Sequence, residues 1–208
     1  MSNLFPLFPV FLDLAGRAVV LLDGEEGAAP LARQFLAAGA SVTVFDPAPS
    51  DAMRTLAPPV RLKLRRWKPA DLTGARLVIA GPNESRPQRV LLAAHAVGAA
   101  FHWLGAGEQS DIALGGVSAR GALSFGVSAP GVPAAVTDAV QARLEDALPE
   151  GFSDFLDAVQ RAHAEVERAL PDTDARDRFW TVLAKAAFAE KLLSPAQWDA
   201  FIAARLGG

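Results

Sequence analysis

The chain has 208 residues, with 20 Lys+Arg against 23 Asp+Glu, a formal net charge of −3, and 51% apolar residues. That balance suits one or two domains with a real core and argues against a disordered chain or a general nucleic-acid binder, which carries a basic excess. With no cysteine, disulfides, thiolate zinc sites and cysteine nucleophiles are excluded and a cytoplasmic setting is expected. No apolar run approaches the ~20 residues of a membrane span, and the N-terminus lacks the basic segment of a signal peptide.

In chain order, RAVVLL (17–22) reads as a buried strand and 27–39 as an alanine-rich helix closed by Gly39. SVTVFD (41–46) is a second strand, followed by the PAPSD break, a short helix and the alternating strand VRLKLR. RLVIAG (76–81) is the next buried strand; Asn83 is expected to cap a helix to Val97, and AAFHWL (99–104) is a further strand. Short apolar strands alternating with helices predict a parallel sheet covered on both faces. Beyond residue 111, IALGGVSARGALSFGVSAPG reads as two strands and a turn. Helices are expected over 133–148, 151–169, 172–191 and 195–205, the last opened by Ser194-Pro195. The predicted architecture is α/β. A Rossmann-like domain (1–113) precedes a small mixed element (114–150) and a C-terminal helical region (151–208).

The first strand, its turn and the helix after it have the layout of a nucleotide-binding unit. Such a turn needs glycine for the tight bend and for close backbone approach to a diphosphate, then a small residue under the helix. Those positions are Asp23, Glu25 and Ala28, so only the third fits; Gly24 and Gly27 still free the backbone. Asp23, Glu25 and Glu26 can occupy the positive helix end as internal anions and would repel a diphosphate. Each like-charge contact at ~4 Å costs on the order of 1 kcal/mol in water and more where buried. Asp46, about 20 residues on, stands where an acid accepts a ribose hydroxyl; its alternative role is to cap the PAPS turn.

Several stretches together carry a family resemblance: LFPVFLDLAGRAVVLL, LAAGASVTVFDP, RLVIAG, ARGALSFGVSAPGVPAAV and DARDRFW. In frame and spacing, over residues 5 to about 185, the chain resembles the N-terminal part of siroheme synthases. That family comprises bifunctional precorrin-2 dehydrogenase and sirohydrochlorin ferrochelatase, with dehydrogenase-only relatives. The resemblance implies NAD-dependent oxidation of precorrin-2 to sirohydrochlorin, iron insertion in some members, a tetrapyrrole ligand, and a homodimer assembled through the element after the Rossmann-like domain. Arg120, Ser128 and the Arg178-Phe179-Trp180 run match the family pattern. The departures are specific. The glycine turn is D-G-E-E-G-A, and the stretch after the fourth strand reads Ala80-Gly81-Pro82-Asn83. The position of the family's key aspartate is Gly105, and the segment around Ser128 continues through Ala129 and Pro130 to Gly131. The chain therefore reads either as a divergent dehydrogenase or as a non-catalytic dimer that binds a tetrapyrrole or regulates a partner in sulfite or nitrite reduction.

Candidate residues follow. Asp23, Gly24, Glu25, Ala28, Asp46 and Gly81 would line a cofactor site. Arg120, Ser128 and Gly131 would meet substrate, Arg120 pairing with a substrate carboxylate. His102, at the C-terminal end of a strand, is the candidate to replace the missing acid; its other reading is a half-buried strand residue. Glu108 and Asp111 are further candidates or solvated loop charge. The basic residues from Arg61 to Lys68 read as an exposed sheet face or as cations for tetrapyrrole carboxylates. His95 and His163 read as packing or surface residues, Phe179 and Trp180 as helix staples, and no histidine spacing suggests a metal site.

Overall fold

The computed structural model describes residues 8–25, 27–105, 110–129, 131–189 and 194–207. The chain divides into two compact units, Met1–Leu114 and Gly115–Gly208.

In the first unit, β1 (Ala18–Leu21), β2 (Ser41–Phe45), β3 (Arg61–Lys63), β4 (Ala75–Ala80) and β5 (Ala100–Trp103) form one parallel sheet in the order β3-β2-β1-β4-β5. Alternation along β1 sends Val19 and Leu21 to one face and Val20 and Leu22 to the other; all four are buried, so both faces need cover. α1 (Ala28–Ala37) covers the first face. Its Ala28, Ala29 and Ala32 are small enough for the helix to lie close to the sheet, and Phe35 fills the space beyond. α3 (Pro87–Ala96) covers the second face through Val90 and Ala94. Burying one such aliphatic side chain stabilises the fold by about 1.5–3 kcal/mol. Gly39 closes α1 at φ +77°, the left-handed conformation that glycine alone adopts without strain. The sheet order reverses between β1 and β4, which opens a crevice at their carboxyl ends.

Three local expectations are corrected. α3 starts at Pro87, not after Asn83: proline is preset for the first helical turn, and Asn83 is drawn away to Glu25. β3 stops at Lys63 because Arg65 turns back to a bidentate pair with Asp71, both contacts at 2.7 Å. Asp111 is exposed but is not unpartnered loop charge. Its carboxylate accepts the Phe101 N–H (2.9 Å) and pairs with His95 Nε2 (2.9 Å), closing the free edge of β5. Between β2 and β3 lies α2 (Asp51–Arg54), whose Ser50 hydroxyl accepts the Met53 N–H.

In the second unit, β6 (Gly116–Arg120) and β7 (Leu123–Val127) form an antiparallel hairpin around Gly121, at φ +58°. α4 (Ala134–Asp146) packs on the hairpin, joined to it by a polar cluster in which Gln141 and Glu145 hold the Ser118 hydroxyl. α5 (Phe152–Ala169), α6 (Thr173–Ala189) and α7 (Pro195–Leu206) share a separate core built on Phe155, Leu183, Trp198 and Ile202. Phe179 and Trp180 pack against this core, Trp180 also stacking on His163. The Ser194 N–H donates to Gln197 Oε1 at 2.8 Å, starting α7 at Pro195.

Candidate functional site

The crevice at the carboxyl ends of β1, β2 and β4 contains a cleft of about 490 Å³, within the usual range of small-ligand sites. The chain leaves β1 through Leu22, and Asp23 turns into this space. Asp23 Oδ1 accepts the Glu25 N–H at 2.7 Å. Asp46, at the end of β2, reaches back across the turn: Oδ2 accepts the Gly24 N–H at 2.8 Å and Oδ1 accepts the Ala48 N–H at 2.8 Å. Glu25 in turn accepts from Asn83 Nδ2 at 2.7 Å. Two amides of the β1–α1 turn, those of Gly24 and Glu25, therefore already hold carboxylates of this chain.

The packing is equally tight. A Cβ at Gly24 would lie 2.7 Å from Pro49 Cβ, and one at Gly81 would overlap the Asp23 carboxylate. Glycine is needed at both positions for the close approach of Pro49 and Asp23. Asp23 also carries an electrostatic cost. Burial raises its carboxyl above the ordinary aspartate value, and repulsion from Glu25 and Asp46 adds to this; the Glu25 N–H offsets part of it. A diphosphate entering the turn would have to displace these carboxylates and lie beside like charge. The residues present do not fit one.

Of the candidates, Asp23, Gly24, Glu25, Asp46 and Gly81 come together here, and Ala28 is buried at the start of α1 beneath the turn. Asp46 performs the turn-capping role in this structure. Glu26 and Glu108 lie outside the described residues. His102 is half-buried on β5, where Nδ1 donates to the Ile112 carbonyl at 2.8 Å. Burial depresses its basicity, partly offset by that hydrogen bond. A Cβ at Gly105 would overlap the Trp103 indole, whose Nε1 donates to the Gly81 carbonyl at 3.1 Å. In the second unit Arg120 lies at the turn end of the hairpin and Ser128 just beyond its open end. At ~3.4 Å per residue, they are separated by the length of the hairpin. Gly131, at φ +78°, shapes the loop before α4. Among the described residues no cluster of His, Cys, Asp or Glu could hold a metal ion.

Arg66, read from the sequence only as part of the basic run, also lines the cleft, together with Trp67, Arg86 and Arg89, which sequence reasoning missed. Arg66-Trp67 follow β3, and Arg86 and Arg89 sit at the start of α3. The available signal was their place just beyond strand ends, where ligands of α/β sheets gather. The basic residues between Arg61 and Lys68 divide accordingly. Arg61 bonds Ser41 Oγ, Arg65 is neutralised by Asp71, and Arg66 faces the cleft.

A family model described as "Putative NAD(P)-binding" matches residues 10–115, the sheet and its crevice. The chain belongs to the siroheme synthase N-terminal family. It is 30% identical over 190 residues to the siroheme synthase of Chromobacterium violaceum, aligning 90% of this chain with 40% of that protein. It is 31% identical to the siroheme synthase of Azotobacter vinelandii, aligning 96% of this chain with 44% of that one. The chain thus spans about two fifths of the length of these curated relatives. Among solved structures, SirC, a precorrin-2 dehydrogenase, superposes with a TM-score of 0.71 over 95% of this chain and 100% of its own, at 18% identity. The likeness to SirC shows that the family fold is kept. No described helix is long and apolar enough to cross a membrane.

Proposed function

We infer that the chain serves siroheme synthesis on a precorrin-2 dehydrogenase scaffold, as a tetrapyrrole-binding homodimer that takes NAD weakly or not at all. The observation that carries this reading is the turn after β1, where Asp46 and Asp23 hold the Gly24 and Glu25 amides. Membership of the siroheme synthase family supports the pathway. The dimer draws support from α4, which buries no residue and exposes Val136, Val140 and Leu144 at helical spacing on one stripe. Arg120 and the loop through Ser128 and Gly131 are the proposed contacts to tetrapyrrole carboxylates.

A second reading, residual NAD-dependent oxidation of precorrin-2, rests on His102. Its Nδ1–H is committed to Ile112, so Nε2 keeps its lone pair, and its depressed basicity keeps the ring neutral at pH 7. In that reading His102 would accept the substrate proton.

Thermal melting in the presence of NAD or of sirohydrochlorin separates the two. The first reading expects a shift of at most about 0.4 kcal/mol from millimolar NAD. It expects the tetrapyrrole, at 100 times its Kd, to add ~2.7 kcal/mol. A shift of that size from millimolar NAD would return the chain to redox catalysis.

A further inference from the structure

The β1–α1 turn is not held by its own contacts alone. Beside it, the chain leaves β4 through a tight turn in which the Gly81 carbonyl accepts the Glu84 N–H at 3.2 Å, with Pro82 and Asn83 at the two central positions. Proline presets the backbone at the first of these. Two contacts tie this turn to the one after β1. Asn83 Nδ2 donates to Glu25 Oε1 at 2.7 Å, and the buried Gly81 backbone packs so closely on the Asp23 carboxylate that a Cβ there would overlap it. The Gly81 carbonyl is also held from β5. Trp103 donates its indole Nε1–H to it at 3.1 Å, and the Leu104 N–H donates to the Ala80 carbonyl at 2.9 Å, fixing the strand end behind the ring. The indole lies where a Cβ at Gly105 would overlap it. Contacts therefore run from the end of β5 through Gly81 to Asp23, with the Asn83–Glu25 bond beside them.

We propose that Trp103 and Asn83 are positioning residues of an autoinhibitory brace, which holds the β4–α3 turn against the β1–α1 turn and keeps the latter closed. The inference rests on the closed turn described above and goes beyond it: the acids supply the blocking charge, and the brace keeps the turn from swinging aside. The Glu25 N–H and its acceptor Asp23 belong to one turn, so their bond can travel with it. The Asn83–Glu25 bond and the Gly81–Asp23 contact join separate elements and exist only while the two turns are together. Trp103 keeps Gly81 in place for that contact. A ligand that needs the open turn is disfavoured by the free energy these contacts give the closed one. Removing them raises the population of the open turn without altering any charge in the crevice.

Asn83→Ala and Trp103→Phe in the full chain test the brace, since each deletes one donor and neither touches a carboxylate. Amide hydrogen exchange and calorimetric titration with NAD are read for both, beside the wild type and Asp23→Gly with Glu25→Gly. Each single variant is expected to speed exchange at the Glu25 amide and to tighten NAD binding by about threefold, the scale of one lost hydrogen bond. Gly105→Ala, which displaces the indole without removing it, is expected to act like Trp103→Phe. A substitution that merely loosened the fold would weaken a ligand, not strengthen it. The proposal is overturned if Glu25 exchange is unchanged in both single variants, or if it quickens with no gain in NAD affinity. If the acid double variant gains affinity while Asn83→Ala and Trp103→Phe do not, the brace is overturned and the closed turn stands. Tight NAD binding by the wild type would contradict the closed turn itself and the brace with it.

Discussion

Asp46 separates a structural carboxylate from a ligand-binding one. If its work is to hold the turn, replacing it must destabilise the protein with no ligand present. Asp46→Ala deletes two 2.8 Å hydrogen bonds from a carboxylate. The bond from Gly24 is part-buried, and losing a charge-assisted bond there costs about 1.5–2 kcal/mol. The bond from Ala48 is exposed, so water replaces it and the loss is about 0.5–1 kcal/mol. The sum is about 2–3 kcal/mol, slightly reduced because Asp23 is relieved of a neighbouring charge. For a chain of this size the drop in Tm is roughly 5–10 °C. Asp46→Asn keeps one acceptor and should fall between the wild type and Asp46→Ala. Urea unfolding of the three proteins without ligand measures the cost, and hydrogen exchange at the Gly24 amide should accelerate in step with it. An Asp46→Ala protein within 0.5 kcal/mol of wild type, with Gly24 exchange unchanged, would refute the reasoning and return Asp46 to the ribose role.

Two pH dependences follow from the same site. Asp23 has a raised carboxyl pKa in the folded state, so it contributes stability below the ordinary value of 3.8 and loses it as pH rises through the folded value. Asp23→Asn, which keeps an oxygen for the Glu25 N–H, should therefore be more stable than wild type at pH 7, with the gain vanishing below pH 3.8; a destabilised variant at neutral pH would contradict the assigned repulsion. His102 has a lowered pKa, so the folded state favours the neutral ring and stability falls as pH drops below 6.5. In His102→Asn the amide can still donate to Ile112, and acid unfolding should lose that component. An unchanged profile between pH 7 and pH 5 would show that His102 is not the titrating group.

Much of the fold was legible because its signals are local. The strand after Arg17 is uniformly apolar and is buried on both faces, and the alanines of 28–32 mark a helix lying close to a sheet. Gly39 and Ser194-Pro195 punctuate helices at the expected places. What escaped depends on contacts between distant residues. Asn83 was a reasonable cap until Glu25, 58 positions away, competed for it, leaving Pro87 to start the helix. Asp111 looked like loop charge because its partners, His95 and the Phe101 amide, are joined to it only by folding. The acids of the turn were legible as a problem for a diphosphate, but not the particular bonds: Asp46 reaches Gly24 across 22 residues. Arg66 was legible as part of a basic run, but its sharing of one cleft with Arg86 and Arg89 depends on the fold.

The claim on which the rest turns is that this chain's carboxylates have taken the place of a dinucleotide's phosphates. Calorimetric titration of NAD into the wild type and into Asp23→Gly with Glu25→Gly tests it most directly. The wild type should bind in the millimolar range or not at all, and the double variant at least tenfold tighter. Tight NAD binding by the wild type, or no gain in the variant, would contradict it.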